Sequence, residues 1–311
     1  MPTKVNKPRR APRRRVDGVL LLDKPAGMSS NAALQAARRL FNAEKSGHTG
    51  TLDPMATGLL PLCFGEATKF SGMLLDADKT YEATVRLGIV TTTADAEGEV
   101  IATHPVAVGE AGVRAVLERF IGEIEQVPPM YSALKHQGKP LYALAREGIE
   151  VERQARRVTI HAIELLSWQS EHFDLRVTCS KGTYIRTLAA DIGTALGCGA
   201  HLASLRRTRV GAVDIAQAVT LDTLENMPTE ARDRLLMPVD ALVADLPGVM
   251  LSADEAAQLL RGQAIRWPGE GQPGQRRSFG LYRIAGPRGF IGLGEYCADG
   301  RFRPRRLIST Q

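Results

Sequence analysis

The 311-residue sequence predicts an α+β protein with a mixed, largely antiparallel sheet, and three observations support this class. Predicted strands and helices intermingle without the regular strand–helix–strand repeat of a doubly wound fold. The segments 158–168 and 173–179 both have strand character and are joined by a short polar connection, which favours an antiparallel pair. From about residue 246 onward, short strands punctuated by Gly and Pro predict a small β-rich domain of about 65 residues.

The elements of the main body follow from apolar periodicity and from helix-capping residues. Gly18–Leu22 is an apolar run that predicts a buried strand, and Ser29 or Ser30 can cap the helix that follows. In chain order we predict a strand over 18–22, a helix over 31–42, an apolar segment over 59–64, a helix over 66–75, a strand over 81–87, a polar turn over 91–98, a helix around 113–121, a short helix over 141–147, strands over 158–168 and 173–179, a turn over 181–186 that opens a helix to 196, and a strand over 202–213.

The C-terminal part is set apart by a plausible boundary at Asp245–Gly248 and by a different pattern of elements. Ser252 followed by Glu255 is a capping box that predicts a helix to Leu260. Strands are predicted over 279–285, 290–296 and 305–308. We therefore divide the chain into a basic tail at 1–17, a main body at 18–245 and a β-rich domain at 246–311.

The net charge of +6 is concentrated at the two ends of the chain. Residues 1–15 carry seven Lys or Arg and no acid, and without them 33 basic residues remain against 34 acidic ones. The tail is either a solubilising extension or an electrostatic arm for a polyanion. From Arg276 onward there are eight arginines against Glu295 and Asp299, and arginine suits bidentate phosphate contacts. The two basic regions favour a nucleic-acid partner.

Several classes of protein are excluded by composition. No apolar run approaches the ~20 residues that span a bilayer, so no membrane partner is expected. No apolar stretch with a small-residue cleavage site marks a secretory signal, so the cytoplasm is the expected compartment. The cysteines form no CxxC pair and have no zinc-like spacing, so we expect free thiols, no metal and no cofactor: Cys63, Cys179, Cys198 and Cys297. Without coiled-coil heptads, a monomer is expected.

The segment Gly47–Gly58 (GHTGTLDPMATG) is the stretch with the clearest chemical potential. Its glycines and Pro54 constrain a loop that presents Asp53 and His48. Asp–Pro is also a common turn pair, so Asp53 is either a turn residue, a general base or a nucleophile. An arginine near a catalytic carboxylate holds it in the charged form, and Arg186 in its glycine-containing turn is a candidate. Three tyrosines next to turns are candidates for stacking a nucleobase: Tyr81, Tyr131 and Tyr184.

Six blocks of sequence, in order, closely resemble the TruB-type tRNA pseudouridine synthases. They are LDKPAGMSSN at 22–31, GHTGTLDPMATGLL at 47–60, DKTY at 78–81, PPMYSALK at 128–135, KGTYIR at 181–186 and LASLRRT at 202–208. The resemblance implies a pseudouridine synthase fold followed by a PUA-type RNA-binding domain. It also implies isomerisation of uridine to pseudouridine at position 55, in the TΨC loop of tRNA, after the uridine is flipped out of its stack.

The resemblance also implies a role for each of seven residues. Asp53 corresponds to the nucleophile and Arg186 to its ion-pair partner, while Tyr81 would stack on the flipped uracil and act in proton transfer. His48 would hold the loop bases open. The remaining three are Tyr184 and Leu205, which would line the pocket, and Lys24, which would fix the loop or contact RNA.

Two other functions stay open from the sequence alone. One is a non-catalytic RNA-binding or tRNA-folding protein, although pure binding would not require Asp53, Arg186 and Tyr81 together. The other is a relative that modifies ribosomal RNA within a guide-RNA particle. The sequence also leaves open whether Asp53 adds to the uracil ring, captures C1′ or assists an elimination.

Overall fold

The computed structural model describes residues 12–132, 134–266 and 278–309, which form a ten-stranded sheet, a five-stranded sheet and two two-stranded sheets, with helices around them. The strands, in chain order, are β1 (Gly18–Lys24), β2 (Ser46–His48), β3 (Thr57–Phe64), β4 (Lys79–Leu87), β5 (Ile89–Thr91), β6 (Val100–Thr103), β7 (Gly122–Gln126), β8 (Lys135–His136), β9 (Lys139–Pro140), β10 (Arg156–Gln169), β11 (His172–Cys179), β12 (Ala200–Val210), β13 (Val213–Asp214), β14 (Val219–Thr220), β15 (Gly248–Met250), β16 (Ile265–Arg266), β17 (Gly280–Gly286), β18 (Gly289–Tyr296) and β19 (Arg301–Leu307).

The helices are short and lie between strands. They are α1 (Ser30–Leu40), α2 (Ser71–Leu75), α3 (Glu110–Glu118), α4 (Leu141–Arg146), α5 (Ile185–Ala195), α6 (Leu221–Glu225), α7 (Thr229–Asp233) and α8 (Ala253–Leu260), with 3₁₀ turns at Gly65–Lys69, Ile215–Gln217 and Ala241–Val243. Within the described ranges, no helix has the length and apolar character needed to cross a bilayer.

The large sheet has the strand order β14-β1-β3-β12-β4-β11-β10-β7, with β2 added beside β3 and β13 beside β12. Of its pairings, β1–β14 and β12–β3 are parallel and the others are antiparallel. The predicted α+β class with a mixed, largely antiparallel sheet is therefore confirmed. Strand β12 lies between β3 and β4 in the sheet, although it is far from both in the sequence.

The main core forms where α1 and α5 cover apolar side chains of the large sheet. Ala33 and Ala37 of α1 are fully buried, as are Leu188 and Ile192 of α5. The strand β11 buries every second residue, at Phe173, Leu175, Val177 and Cys179, as its period-two pattern predicts. Because α5 is packed firmly on β12, the residues at its first turn are held in fixed positions relative to the central strands.

Two predicted elements differ from the structure. The predicted helix over 66–75 is a 3₁₀ turn followed by α2, and the break falls at Phe70 (φ −109°, ψ 0°). The Phe70 ring is buried against Phe290, with 5.3 Å between ring centroids, so tertiary packing overrides the local helical pattern. The predicted strand over 202–213 ends at Val210, because Gly211 (φ +55°) makes the turn into β13.

The end of the predicted basic tail is packed on the main body. Residues 1–11 lie outside the described part of the chain, but Arg14 forms an ion pair with Asp233 (2.5 Å) and Val16 is buried. The Arg14 main chain also bonds to Asn42 and Glu44. The tail charge at Arg14 is thus neutralised by the body.

The C-terminal sheet has the order β15-β17-β18-β19-β16 and contacts the body through a small apolar cluster around Phe70, Val243 and Leu293. Both capping-box bonds between Ser252 and Glu255 are present, which confirms the predicted start of α8. Strand β19 begins at Arg301, earlier than the predicted 305. Its first residues alternate arginine with Phe302 and Pro304, so they lack the run of apolar residues that marks the other predicted strands. Arg276 and Arg277 of the basic C-terminal group lie outside the described residues, as does Ala133 of the block at 128–135.

Candidate active site

The loop between β2 and β3 is fixed from several sides. At the start of β3, Gly58 has φ +102°, and a Cβ there would lie 2.3 Å from the Arg207 carbonyl oxygen, so only glycine fits. Earlier in the loop, the buried Ser30 hydroxyl donates to the Leu52 carbonyl (3.0 Å) and accepts from the Leu52 amide (2.8 Å). The residue before Asp53 is therefore held by both of its main-chain polar groups.

Replacing Ser30 with Ala should destabilise the protein by about 1–3 kcal/mol, because the buried Leu52 amide and carbonyl lose their partner. The turnover rate should also fall, since the loop that carries Asp53 is released. Urea unfolding and a turnover assay measure the two effects. The neighbouring Ser29→Ala variant is the control: Ser29 only caps α1, so its loss should cost about 1 kcal/mol without changing turnover.

Asp53 and Arg186 are brought together from positions far apart in the sequence. The Arg186 Nε atom lies 3.0 Å from Oδ2 of Asp53. The Arg186 side chain, in the first turn of α5, is 4% exposed, whereas the Asp53 side chain is 35% exposed and can be reached from solvent. The predicted pairing of these two residues is thus present in the structure.

Arg186 has a second carboxylate partner that sequence reasoning missed. Asp95, which is buried, places Oδ2 3.2 Å from Nη1 of Arg186. The guanidinium also donates to the carbonyls of Thr93 (3.2 Å) and Tyr131 (2.7 Å). Asp95 falls in the segment predicted only as a polar turn. Nothing in its local pattern distinguishes a buried aspartate from a solvated one.

The Asp53 carboxyl has a pKa above its ordinary value. Burial is the largest cause, the Arg186 charge opposes the shift, and the Asp95 charge adds to it. Arg186 thus lowers the pKa of Asp53, in the direction that the sequence analysis expects, but by less than burial raises it. The guanidinium is shared with Asp95, so it only partly offsets the cost of burying the Asp53 charge.

A cavity of about 320 Å³ opens beside this ion pair. Five of the predicted site residues line it: Asp53, Tyr81, Tyr184, Arg186 and Leu205. Two cationic residues that were not predicted also line it, namely Lys79 and Arg207. Burial raises the pKa of both the Tyr81 and the Tyr184 hydroxyls, so both side chains are neutral donors at neutral pH.

The other two predicted residues, Lys24 and His48, do not line the cavity. Lys24 is fully buried and donates to the carbonyls of Pro25 (2.8 Å), Met28 (2.6 Å) and Pro54 (3.4 Å). Lys24 therefore holds the loop at Pro54, and its fully buried side chain is not presented to the surface in this structure. Burial lowers the Lys24 pKa to about 8.

His48 lies in β2, opposite Leu62 of β3, and is half-buried. Its Nδ1 atom is enclosed and has no hydrogen-bond partner among the described residues. Burial lowers the pKa of the imidazole, so His48 is neutral at neutral pH. Across the described ranges, no three His, Cys, Asp or Glu side chains are grouped as metal ligands.

Three family models match consecutive parts of the chain. They are the TruB family pseudouridylate synthase (N terminal domain) at residues 38–185, the tRNA pseudouridylate synthase B C-terminal domain at 186–244, and the pseudouridine synthase II TruB C-terminal domain at 247–308. Asp53, Tyr81 and Tyr184 fall in the first match, and Arg186 begins the second.

Similar curated proteins carry the name tRNA pseudouridine synthase B. The chain is 63% identical to the one from Azoarcus sp. (strain BH72), over 97% of this chain and 98% of the relative. It is 56% identical to the one from Chromobacterium violaceum, over 99% of both chains.

Two solved structures contain a chain with the same fold. One is an H/ACA RNP bound to a substrate RNA containing 2′-deoxyuridine, with TM-score 0.69 and 25% identity over 94% of this chain and 85% of that chain. Another is a Cbf5-Nop10-Gar1 complex, with TM-score 0.67 and 27% identity over 94% and 84%. The predicted pseudouridine synthase fold is confirmed, and the chain belongs to the TruB family of pseudouridylate synthases.

Proposed function

We propose that this protein isomerises uridine to pseudouridine in tRNA, at position 55 of the TΨC loop. The observation that carries the proposal is the half-exposed Asp53 carboxylate, paired with Arg186 at the wall of a cavity that Tyr81 also lines. The cavity volume of about 320 Å³ lies at the lower end of the range for small-ligand sites, ~300–1,000 Å³. It suits one flipped nucleotide better than a longer segment.

The reaction moves the sugar from N1 to C5 of the same base. The electron pair of the C1′–N1 bond leaves with the base. Asp53 bonds to C6 of the uracil, bonds to C1′, or assists the loss of a proton from C2′ of the sugar. After the base turns, C5 bonds to C1′, and the bond to Asp53 breaks or, in the elimination route, C2′ regains its proton. The C5 proton then leaves and N1 gains a proton, so Asp53 is regenerated. No oxidant or reductant is needed. The reaction requires a nucleophile or base, a proton-transfer group and a counter-charge, which are the roles proposed for Asp53, Tyr81 and Arg186.

Each remaining residue has a proposed task that follows from its place. Tyr81 stacks on the flipped uracil, an interaction worth ~1–3 kcal/mol, and takes part in proton transfer. Tyr184 and Leu205 close the sides of the cavity. His48, next to the protein loop that carries Asp53, helps to hold the RNA loop open. Lys24 keeps the protein loop in place through its hydrogen bond to the Pro54 carbonyl.

The domain roles complete the proposal. The body over 18–245 carries out the chemistry, and the β-rich domain over 246–311 binds RNA through its arginines. The basic tail at 1–17 acts as an electrostatic arm through its other cationic residues, since Arg14 is paired with Asp233 and Arg15 with Asp17. We expect a monomer that works in the cytoplasm without a metal or another cofactor.

Mapping of pseudouridine in a defined tRNA transcript tests this function. The purified protein, incubated with an unmodified transcript, should produce one pseudouridine, at position 55. A transcript with cytidine at that position is the control and should gain none. Modification only when a guide RNA is added, or only in ribosomal RNA, would overturn the proposal. Such a result would favour the alternative of a relative that modifies ribosomal RNA within a guide-RNA particle.

A further inference from the structure

Among the described residues, three buried cations have no acidic side chain in contact with them. Lys24, Lys79 and Arg207 are at most 7% exposed, and no Asp or Glu oxygen within the described ranges lies within 4.0 Å of their charged groups. Arg186, in contrast, has two carboxylates. A buried charge without a counter-charge is costly, so these cations call for an explanation.

Lys24 and Lys79 are each satisfied by three main-chain carbonyls. Lys79 donates to those of Leu74 (3.1 Å), Leu75 (2.8 Å) and Ala77 (2.5 Å) at the end of α2. Arg207 differs, because only two of its five N–H donors reach carbonyls of described residues. These are the carbonyls of Leu59 (2.8 Å, from Nε) and Gly50 (3.2 Å, from Nη2).

The position of Arg207 is set by the sheet. It is the register partner of Tyr81 across the antiparallel pair β12–β4, and side chains at such positions lie side by side on one face. Both residues line the cavity. The pKa of the Tyr81 hydroxyl is raised by burial, and the Arg207 charge opposes that shift, which indicates that the two groups interact electrostatically.

Charges of both signs surround the cavity. Arg186 with Asp53 and Asp95 carries one excess negative charge when both carboxyls are ionised. Arg207 and Lys79, which also line the cavity, are positive and have no carboxylate oxygen of a described residue within 4.0 Å. This arrangement matches a reaction in which the sugar becomes electron-poor and the base becomes electron-rich. Negative charge appears on the uracil whether Asp53 adds to the ring, captures C1′ or assists an elimination.

We infer that Arg207 is an electrostatic positioning residue for this reaction, which stabilises, beside Tyr81, the negative charge that the flipped uracil gains when its bond to C1′ breaks. The inference rests on the proposed function. No atom of Arg207 forms or breaks a covalent bond: the C1′–N1 electron pair goes to the uracil, and the guanidinium keeps all its protons. Preorganised donors of this kind act without reorganisation when charge develops.

The first test compares Arg207→Gln with Arg207→Lys in single-turnover assays at saturating tRNA. The Gln variant should lose about 100-fold or more in rate, as when one donor to a developing anion is removed, while its affinity for tRNA changes only a few-fold. The Lys variant keeps the charge and should recover at least about tenfold of that loss. Arg209→Gln is the matched control, because this arginine of β12 has a 56% exposed side chain and forms a long ion pair with Asp214, at 3.9 Å.

A purely structural role for Arg207 predicts a different result. Since Arg207 also holds the Gly50 and Leu59 carbonyls, loss of that support would slow the Lys and Gln variants equally. Circular dichroism checks that each variant is folded, and Arg207→Met replaces the Gln variant if that one fails to fold.

Chemical rescue of Arg207→Ala separates charge from shape. Ethylguanidinium should restore rate, and neutral ethylurea of nearly the same shape should not. Equal rescue by both compounds, equal loss in the Lys and Gln variants, or an unchanged rate in the Gln variant would overturn the inference. In each case wild-type protein that still forms pseudouridine leaves the proposed function standing, and inactive wild-type protein contradicts that function itself.

Discussion

Asp53→Asn should abolish pseudouridine formation and leave tRNA binding close to wild type. The amide cannot act as a nucleophile or as a base, so the single-turnover rate should fall by about 10⁴-fold or more. Binding should persist because asparagine preserves the shape of the loop, which is held by Ser30, Lys24 and Arg207. Asp245→Asn, at an exposed position, is the matched control and should retain full activity.

The pH dependence of the wild-type enzyme provides a second readout of Asp53. The ionised carboxylate is the reactive form, so kcat/KM should fall as the pH drops through the pKa of Asp53. Because burial raises that pKa, the acid limb should lie above the ordinary aspartate value of 3.8. A limb at or below that value would mean that Arg186 dominates the charge state of Asp53. Changing the ionic strength should not remove the limb.

Arg186→Met should have the largest combined effect on stability and activity. The buried guanidinium is the ion-pair partner of both Asp53 and Asp95, and its removal leaves a buried carboxylate at Asp95 without a counter-charge. Breaking a buried pair in this way costs about 3–5 kcal/mol of unfolding free energy. Turnover should fall to background, because Asp53 also loses the group that orients it. Urea unfolding and the single-turnover assay measure the two effects.

Arg176→Met is a close control for this prediction. Arg176 also contacts two carboxylates, those of Glu82 (2.9 Å) and Glu164 (2.8 Å), but its side chain is 45% exposed. Surface ion pairs contribute about 0–1 kcal/mol, so this variant should be nearly as stable as wild type and fully active. Similar losses of stability in the two variants would show that burial of Arg186 is not what makes its ion pairs matter.

Much of the fold could be predicted because local patterns and tertiary packing agree. The alternation in β11 and the capping box at Ser252 both identify elements that the structure contains. The prediction failed at Phe70, where a helical pattern is broken by a ring that packs on the second sheet. A contact between two parts of the chain more than 200 residues apart leaves no local signal.

Site residues could be predicted from the sequence where a charged side chain falls in a local pattern that does not require it. Asp53 on a constrained loop and Arg186 at a strand-to-helix turn both meet that condition, and family resemblance joined them. Asp95 in a polar turn did not, since only the folded chain shows that its side chain is buried beside Arg186. Arg207 could have been suspected, because period-two alternation in β12 turns it toward the face that also bears Leu205. Its pairing with Tyr81 needed the strand register.

The central claim is that Asp53 reacts with a flipped uridine in this cavity, and one measurement tests it most directly. A tRNA transcript labelled with tritium at C5 of uridine is mixed with excess wild-type protein or excess Asp53→Asn, after binding of both has been measured. The wild-type protein should release the C5 tritium of one uridine per tRNA, and the variant should bind the transcript and release none. Tritium release by the variant, or none by the wild type, would contradict the claim.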